Sequence, residues 1–134
     1  MDDTLRQLVR VRVRASDRCE YCRVPQFAFL PRFHVEHIRA QSHQGSDDPS
    51  NLCLACPRCN RLKGPNPSSY DPTTDELVRL YNPRLDAWDN HFAMRGELID
   101  GTTPIGRATV ALLQMNDEQR LTVRRTLQSN DEYE

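Results

Sequence analysis

Five cysteines stand in this chain of 134 residues, and four of them form two pairs with metal-binding spacing, Cys19-x2-Cys22 and Cys56-x2-Cys59. A CxxC turn aims two sulfurs at one ion, and zinc takes four thiolates in a tetrahedron, so two such turns complete one shell. Cys53 creates a competing register, because Cys53-x2-Cys56 is also a CxxC. It lies within the apolar Leu52-Cys53-Leu54, where a free cysteine behaves as a small hydrophobe, and Cys56 with Cys59 is therefore taken as the second pair. An odd number of cysteines and no secretory leader argue against a disulfide framework. A redox-active or simply reduced cluster is the other reading of the four thiols.

The gap between the pairs is wider than in a simple zinc ribbon, and the insertion holds the remaining chemistry. It contains His34-Val35-Glu36-His37-Ile38, a polar loop over residues 39–51, and Asn51-Leu52. Directly after the last cysteine of the set come Asn60-Arg61 and Lys63-Gly64. The run HVEHI, followed by SDDPSNL and then CPRCNRLKG, resembles the HNH endonucleases, in the cysteine-flanked subgroup to which the phage Holliday-junction resolvase is similar. The resemblance spans roughly residues 17–65. It implies a ββα-metal finger, in which two strands and a helix clasp one divalent ion. By the same resemblance His37 is the general base, and Glu36 is a carboxylate ligand of the catalytic metal where many members have aspartate. Asn51 braces the loop and so orients His37. Asn60 is the second metal ligand, where other members carry histidine.

The chemistry of these residue types agrees with those roles. Phosphodiester hydrolysis needs an activated water, a cation on the phosphoryl oxygens and help for the leaving oxygen. A histidine that titrates near neutrality can take the proton from water. Glutamate plus asparagine is a hard oxygen pair, which suits Mg²⁺ or Mn²⁺ better than zinc. One geometric tension follows: on a regular strand His34 and Glu36 share a face while His37 points away. Glu36 and His37 reach one ion only if the strand ends or bulges there. His34 has two readings, a phosphate or metal assistant and a strand histidine bonded to its own scaffold. Arg39, Arg58, Arg61 and Lys63 are candidate phosphate contacts, each of which reads equally well as a solvated surface charge. Such contacts would make binding salt-dependent and largely sequence-neutral.

These side chains must be positioned by a small core. The hydrophobic fraction is 37% and the mean hydropathy −0.73, so a metal staple would help the chain fold. Residues 1–64 hold eleven basic and seven acidic residues, and residues 65–134 hold seven and twelve. The cysteines sit in the basic half. Lys63 is the only lysine among 18 basic residues, a bias that suits phosphate recognition and equally a GC-rich coding preference. No apolar run approaches a membrane span, and the N-terminus has no apolar leader, so the expected compartment is the cytoplasm.

Along the chain, residues 4–15 fit a helix ending near Ser16, although Val9, Val11 and Val13 alternate with arginines as in a strand. Residues 17–23 are a tight knuckle, 24–38 a short broken hairpin, 52–54 a strand and 57–63 a helix begun by Pro57 and stopped by Gly64. A proline-rich linker over 65–74 precedes a helix over 75–81 capped by Thr74. A hairpin around Asp100-Gly101 and helices at about 105–115 and 117–128 complete the chain. Trp88, His91 and Phe92 read as packing residues rather than stacking platforms.

The fold class is thus α+β: a ββα-metal nuclease core with a four-cysteine zinc site over residues 1–65, and a mainly helical C-terminal extension, packed on the core, over residues 66–134. The expected activity is metal-dependent hydrolysis of DNA, with structural Zn²⁺ and catalytic Mg²⁺ or Mn²⁺. A lone centre nicks one strand, so a double-strand break needs a homodimer or two visits. The acidic C-terminal half suits a protein partner. The competing reading is a non-catalytic zinc-stabilised module that binds nucleic acid or protein; it needs neither His37 nor Asn60.

Overall fold

The computed structural model describes residues 3–133 and resolves into two compact units, Met1–Pro65 and Asn66–Glu134. The first is built on a pair of four-residue strands, β1 (His34–His37) and β2 (Leu52–Ala55). They run antiparallel in the register His34↔Ala55, Val35↔Leu54, Glu36↔Cys53 and His37↔Leu52. The four residues of β2 are all buried, which is why this strand reads as a continuous apolar run rather than an alternation.

The hairpin expected within residues 24–38 is therefore replaced by two separate pairings. The first knuckle closes on itself through an antiparallel bridge between Arg18 and Pro25. Beyond it, Gln26–Ala28 forms a single helical turn, and β1 finds its partner across the polar loop. Prolines 25 and 31 interrupt the chain where a local ladder would need N–H donors.

Helix α1 (Asp3–Arg14) settles the ambiguity of the Val–Arg alternation in favour of a helix. Val11 is fully buried against the strands, while Val9 and Val13 remain exposed. Two arginines of the last turn, Arg12 half-buried and Arg14 exposed, bond backbone carbonyls beyond the helix. Arg12 donates to the carbonyl of Phe33 at 2.6 Å, and Arg14 to those of Leu52 at 2.7 Å and Pro49 at 3.1 Å. Helix α2 (Pro57–Lys63) follows β2 directly. Its N-cap is Cys56, whose sulfur accepts the Cys59 N–H, and Gly64, at φ 52°, ends it.

The second unit contains two hairpins and two helices. Strands β3 (Ser68–Tyr70) and β4 (Leu77–Arg79) pair across a turn and replace both the expected linker and the expected helix over 75–81. The cause is Asp71. Its carboxylate accepts the Thr73 N–H at 2.9 Å and the Thr74 hydroxyl at 3.1 Å, so the residue expected to cap a helix is committed to the turn. Asp75 then takes φ 61°, which no right-handed helix accommodates. The Arg107 guanidinium grips both oxygens of the fully buried Asp71, at 2.9 and 2.8 Å, and holds its carboxyl down at about 2.

Strands β5 (Phe92–Arg95) and β6 (Leu98–Gly101) form the hairpin expected over 91–103, but the turn is Gly96-Glu97 rather than Asp100-Gly101. Gly96 has φ 63°, which a two-residue hairpin turn requires. Gly101 has another use: a Cβ there would strike the backbone of Gly106 and Arg107. Gly106 in turn lies against the His91 carbonyl, so two glycines let helix α3 (Pro104–Leu112) sit directly on the hairpin. Trp88, His91 and Phe92 pack as expected: the rings of Trp88 and Phe92 lie 5.0 Å apart, and Tyr81 meets Phe92 edge-on at 5.1 Å. Helix α4 (Glu118–Ser129) closes the unit. Its buried Arg124 donates to the carbonyls of Glu97 at 2.7 Å and Met115 at 2.8 Å. Among the described residues, no helix is long and apolar enough to cross a membrane.

Thr109 of α3 is fully buried. Its hydroxyl accepts the Tyr81 N–H at 3.0 Å and donates to the Ile105 carbonyl at 2.7 Å. Thr109→Val keeps the shape and removes the acceptor, so unfolding free energy should fall by about 1–3 kcal/mol. Urea titration should show a lower midpoint at an unchanged slope; an unchanged midpoint would refute this role for the hydroxyl.

Candidate active site and four-cysteine cluster

Four sulfurs meet in the first unit. Cys19, Cys22, Cys56 and Cys59 are all buried, with their ligand atoms within 4.8 Å of one another, and Cys22 Sγ lies 3.8 Å from Cys56 Sγ. A zinc ion with bonds of about 2.3 Å sets tetrahedral sulfur–sulfur edges of about 3.8 Å, so the cluster has the dimensions to hold zinc. In each knuckle the N–H of the second cysteine donates to the first sulfur, at 3.5 Å in Cys19-x2-Cys22 and 3.4 Å in Cys56-x2-Cys59. Burial and the crowding of the thiols push Cys19 and Cys59 well above the ordinary range for a thiol. A divalent cation reverses that cost by taking the place of the protons.

Cys53 is outside the cluster, which agrees with the register chosen for the second pair. Its sulfur lies 3.7 Å from both the Tyr21 hydroxyl and Glu36 Oε1. Tyr21, within the first knuckle, is fully buried and also hydrogen-bonds Glu36. Burial raises the Glu36 carboxyl to about 7, against the opposing pull of the Lys63 ammonium and the bonds from Cys53 and Tyr21.

A concavity of about 390 Å³ opens at the end of the strand pair, lined by Glu36, His37, Ala40, Gln41, Asn60, Arg61, Gly64 and Pro65. Glu36 and His37 both line it although they are neighbours on β1. β1 stops at His37, whose ring is bonded to Asp47 and also lines a second cavity of about 200 Å³ with Val35 and Leu52, so the alternation that sets His37 apart from Glu36 persists to the end of the strand. Asn60 reaches the same concavity from α2, four residues after Cys56 and one after Cys59.

Asn51 ties the intervening loop together. Its side chain accepts the Arg39 N–H at 2.9 Å and donates to the carbonyls of Arg39 at 3.0 Å and Ser46 at 2.8 Å. Gly45 presses on the Arg39 and Ala40 carbonyls, where a Cβ has no room. The same loop carries Asp47, whose carboxylate lies 2.7 Å from His37 Nε2. Tyr21 and Asp47 were not singled out from the sequence. Only the register Glu36↔Cys53 and the loop closure bring them to their partners.

The other candidates are dispersed. His34 is exposed on β1 and does not line the concavity. Arg61 lines it and is exposed. Arg39 is exposed, with its Nε donating to the His43 carbonyl at 2.6 Å, and Arg58 is half-buried. Lys63 corrects an expectation. It is only 2% exposed and donates to the Ile38 carbonyl at 2.9 Å, so it is an internal cation behind Glu36 rather than a surface contact for phosphate.

The geometry separates the cysteines by role. Cys53→Ala should retain the wild-type metal content, whereas Cys56→Ala should lose the bound ion and much of the first unit's fold. Elemental analysis with circular dichroism checks both; loss of one equivalent of zinc in Cys53→Ala would put Cys53 in the ligand set.

Comparison with known proteins gives two findings. Residues 19–66 match the family model described as HNH endonuclease. The chain is also similar to the Septu protein PtuB of Bacillus thuringiensis, with 28% identity over 115 residues. That alignment takes in 84% of this chain but 42% of the relative, so the chain spans less than half of the relative's length. No solved structure matches. The matched segment starts at the first cysteine of the cluster and takes in β1, the loop, β2, α2 and every residue of the concavity, so residues 19–66 carry the HNH endonuclease family pattern.

Proposed function

We propose that this chain is a metal-dependent endonuclease that hydrolyses DNA phosphodiester bonds. The observation that carries the reading is the convergence of Glu36, His37 and Asn60 on one concavity beside a four-cysteine cluster. A purely binding module has no need of that convergence. In this reading the cluster holds structural zinc, and Glu36 and Asn60 hold a catalytic Mg²⁺ or Mn²⁺. The hard oxygen donors of those two residues fit such an ion. When bound, the ion would polarise the scissile phosphate and offset charge on the leaving oxygen.

His37 takes a proton from the attacking water. The water oxygen forms a bond to phosphorus as the bond from phosphorus to the 3′ oxygen breaks. The electron pair leaves on that oxygen, which gains a proton from solvent, giving 3′-hydroxyl and 5′-phosphate ends. Asn51 keeps the loop beside His37 in place through its three bonds to Arg39 and Ser46. Arg61, exposed at the rim, is positioned to contact a backbone phosphate, with Arg39 and Arg58 as further cations of the same unit. The acidic second unit is assigned to a protein-facing role, since its charge is unfavourable for a polyanion. The cytoplasm is its compartment in this reading.

Supercoiled-plasmid nicking with Mg²⁺ or Mn²⁺ tests the assignment. His37→Ala at equal zinc content should lower the rate by about 10²–10⁴-fold. Equal nicking by both proteins would remove His37 from the mechanism, and a wild type inactive with either ion would return the domain to a binding role.

A further inference from the structure

Asp47 is an exposed carboxylate in the loop between β1 and β2, and its Oδ1 lies 2.7 Å from Nε2 of His37. An exposed aspartate is ionised near neutrality, and an ionised carboxylate only accepts. The hydrogen in this bond therefore belongs to the imidazole. A neutral imidazole carries a single N–H, so Nδ1 is left with the free lone pair. Gln41 Nε2 donates to the same Oδ1 at 3.2 Å, which steadies that oxygen beside the ring. The loop is also held against withdrawal. Asn51 grips the carbonyl of Ser46, next in sequence to Asp47, and Gly45 is seated on the Arg39 and Ala40 carbonyls.

We propose that Asp47 is the positioning residue for the catalytic histidine: it holds His37 in the Nε2–H tautomer, so that Nδ1 is the atom that takes the proton from water. The inference rests on His37 being the base. A ring protonated at Nδ1 instead would have no lone pair on that nitrogen, whatever its distance from the phosphate. When Nδ1 gains its proton, the ring becomes an imidazolium that still faces the Asp47 carboxylate, as in other carboxylate–histidine pairs. Asp47 is 77% exposed, so solvent screens the charge and orientation is its main contribution.

Two readouts on the zinc-loaded full chain separate this role from a merely structural one. The first is the tautomer, read from ¹⁵N shifts of the His37 ring. Wild type should show protonated Nε2 and unprotonated Nδ1 at a pH where the ring is neutral, and Asp47→Ala should show a mixture. The second is steady-state nicking. Asp47→Ala should lose about tenfold to a hundredfold in kcat, with KM within about twofold of wild type. Asp47→Glu, which keeps the acceptor, should recover part of the loss. A wild-type ring protonated at Nδ1, or Asp47→Ala nicking at the wild-type rate while His37→Ala does not, would overturn the proposal and leave the nuclease reading standing. Should His37→Ala nick like wild type, the base assignment and the proposal fall together, even where the tautomer readout confirms the pairing.

Discussion

The packing of four sulfurs within 4.8 Å of one another is the constraint on which the first unit depends. The two knuckles that supply them lie on opposite sides of the strand pair in sequence, and each is also bonded into its surroundings. In the first, Glu20 donates its N–H to the Leu54 carbonyl at 2.8 Å and accepts the Leu54 N–H on its side chain at 2.8 Å. In the second, Cys56 is at once a member of the cluster and the N-cap of α2. Joining the knuckles therefore fixes the helix against the strands, and with it Asn60 against Glu36 and His37. A unit of this size buries a smaller share of its surface than a larger domain does, and this one leaves Leu5, Val9, Val13, Phe27 and Leu30 exposed. A metal held by the four sulfurs would do at its centre what a larger apolar core would otherwise do.

The second unit reaches order by other means. Its interior is organised by cations turned inward: Arg107 on the Asp71 carboxylate, Arg120 on the Leu113 carbonyl at 2.5 Å, and Arg124 on the carbonyls of Glu97 and Met115. Arginine suits this use because its planar fork satisfies several acceptors at once and stays charged when buried. The abundance of arginine in this chain is thus partly structural. Arg12 and Arg14 of α1 serve the same purpose in the first unit, so a count of basic residues overstates the charge available to a nucleic acid.

The knuckles, α2 and the grouping of Glu36, His37 and Asn60 were legible because each is written locally, in spacing, in a proline at a helix start, or in a run of motif residues. What could not be read depended on long-range satisfaction of polar groups. Residues 75–81 carry a helical pattern, yet Asp71, buried and gripped by Arg107 some 36 residues later, turns them into a hairpin. Lys63 follows a basic surface pattern, but the buried Glu36 and the Ile38 carbonyl draw it inward. Gly101 has the look of a turn residue and is a contact residue, since only its backbone partners in α3 reveal the close approach. In each case a tertiary partner outweighed a local preference worth a fraction of a kcal/mol to about 1 kcal/mol.

Glu36 and His37 are set in opposite ways at the concavity. Glu36 is nearly enclosed, with Tyr21, Cys53 and Lys63 behind it, and burial dominates its environment. His37 is half-buried, and its ring is bonded to an exposed carboxylate in a loop. This division suits the roles proposed for the two groups. A carboxylate that is to hold a cation gains from low dielectric, where its attraction for the ion is less screened. A base that is to meet water must stay accessible, and its orientation can then come only from a neighbour that is itself solvated. A surface loop can supply such a neighbour only if its backbone is tied down. The bonds of Asn51 to Arg39 and Ser46, together with the contact of Gly45 on Arg39, do that here. The order of the loop thus serves the half-buried histidine, and the buried core beneath it serves the carboxylate.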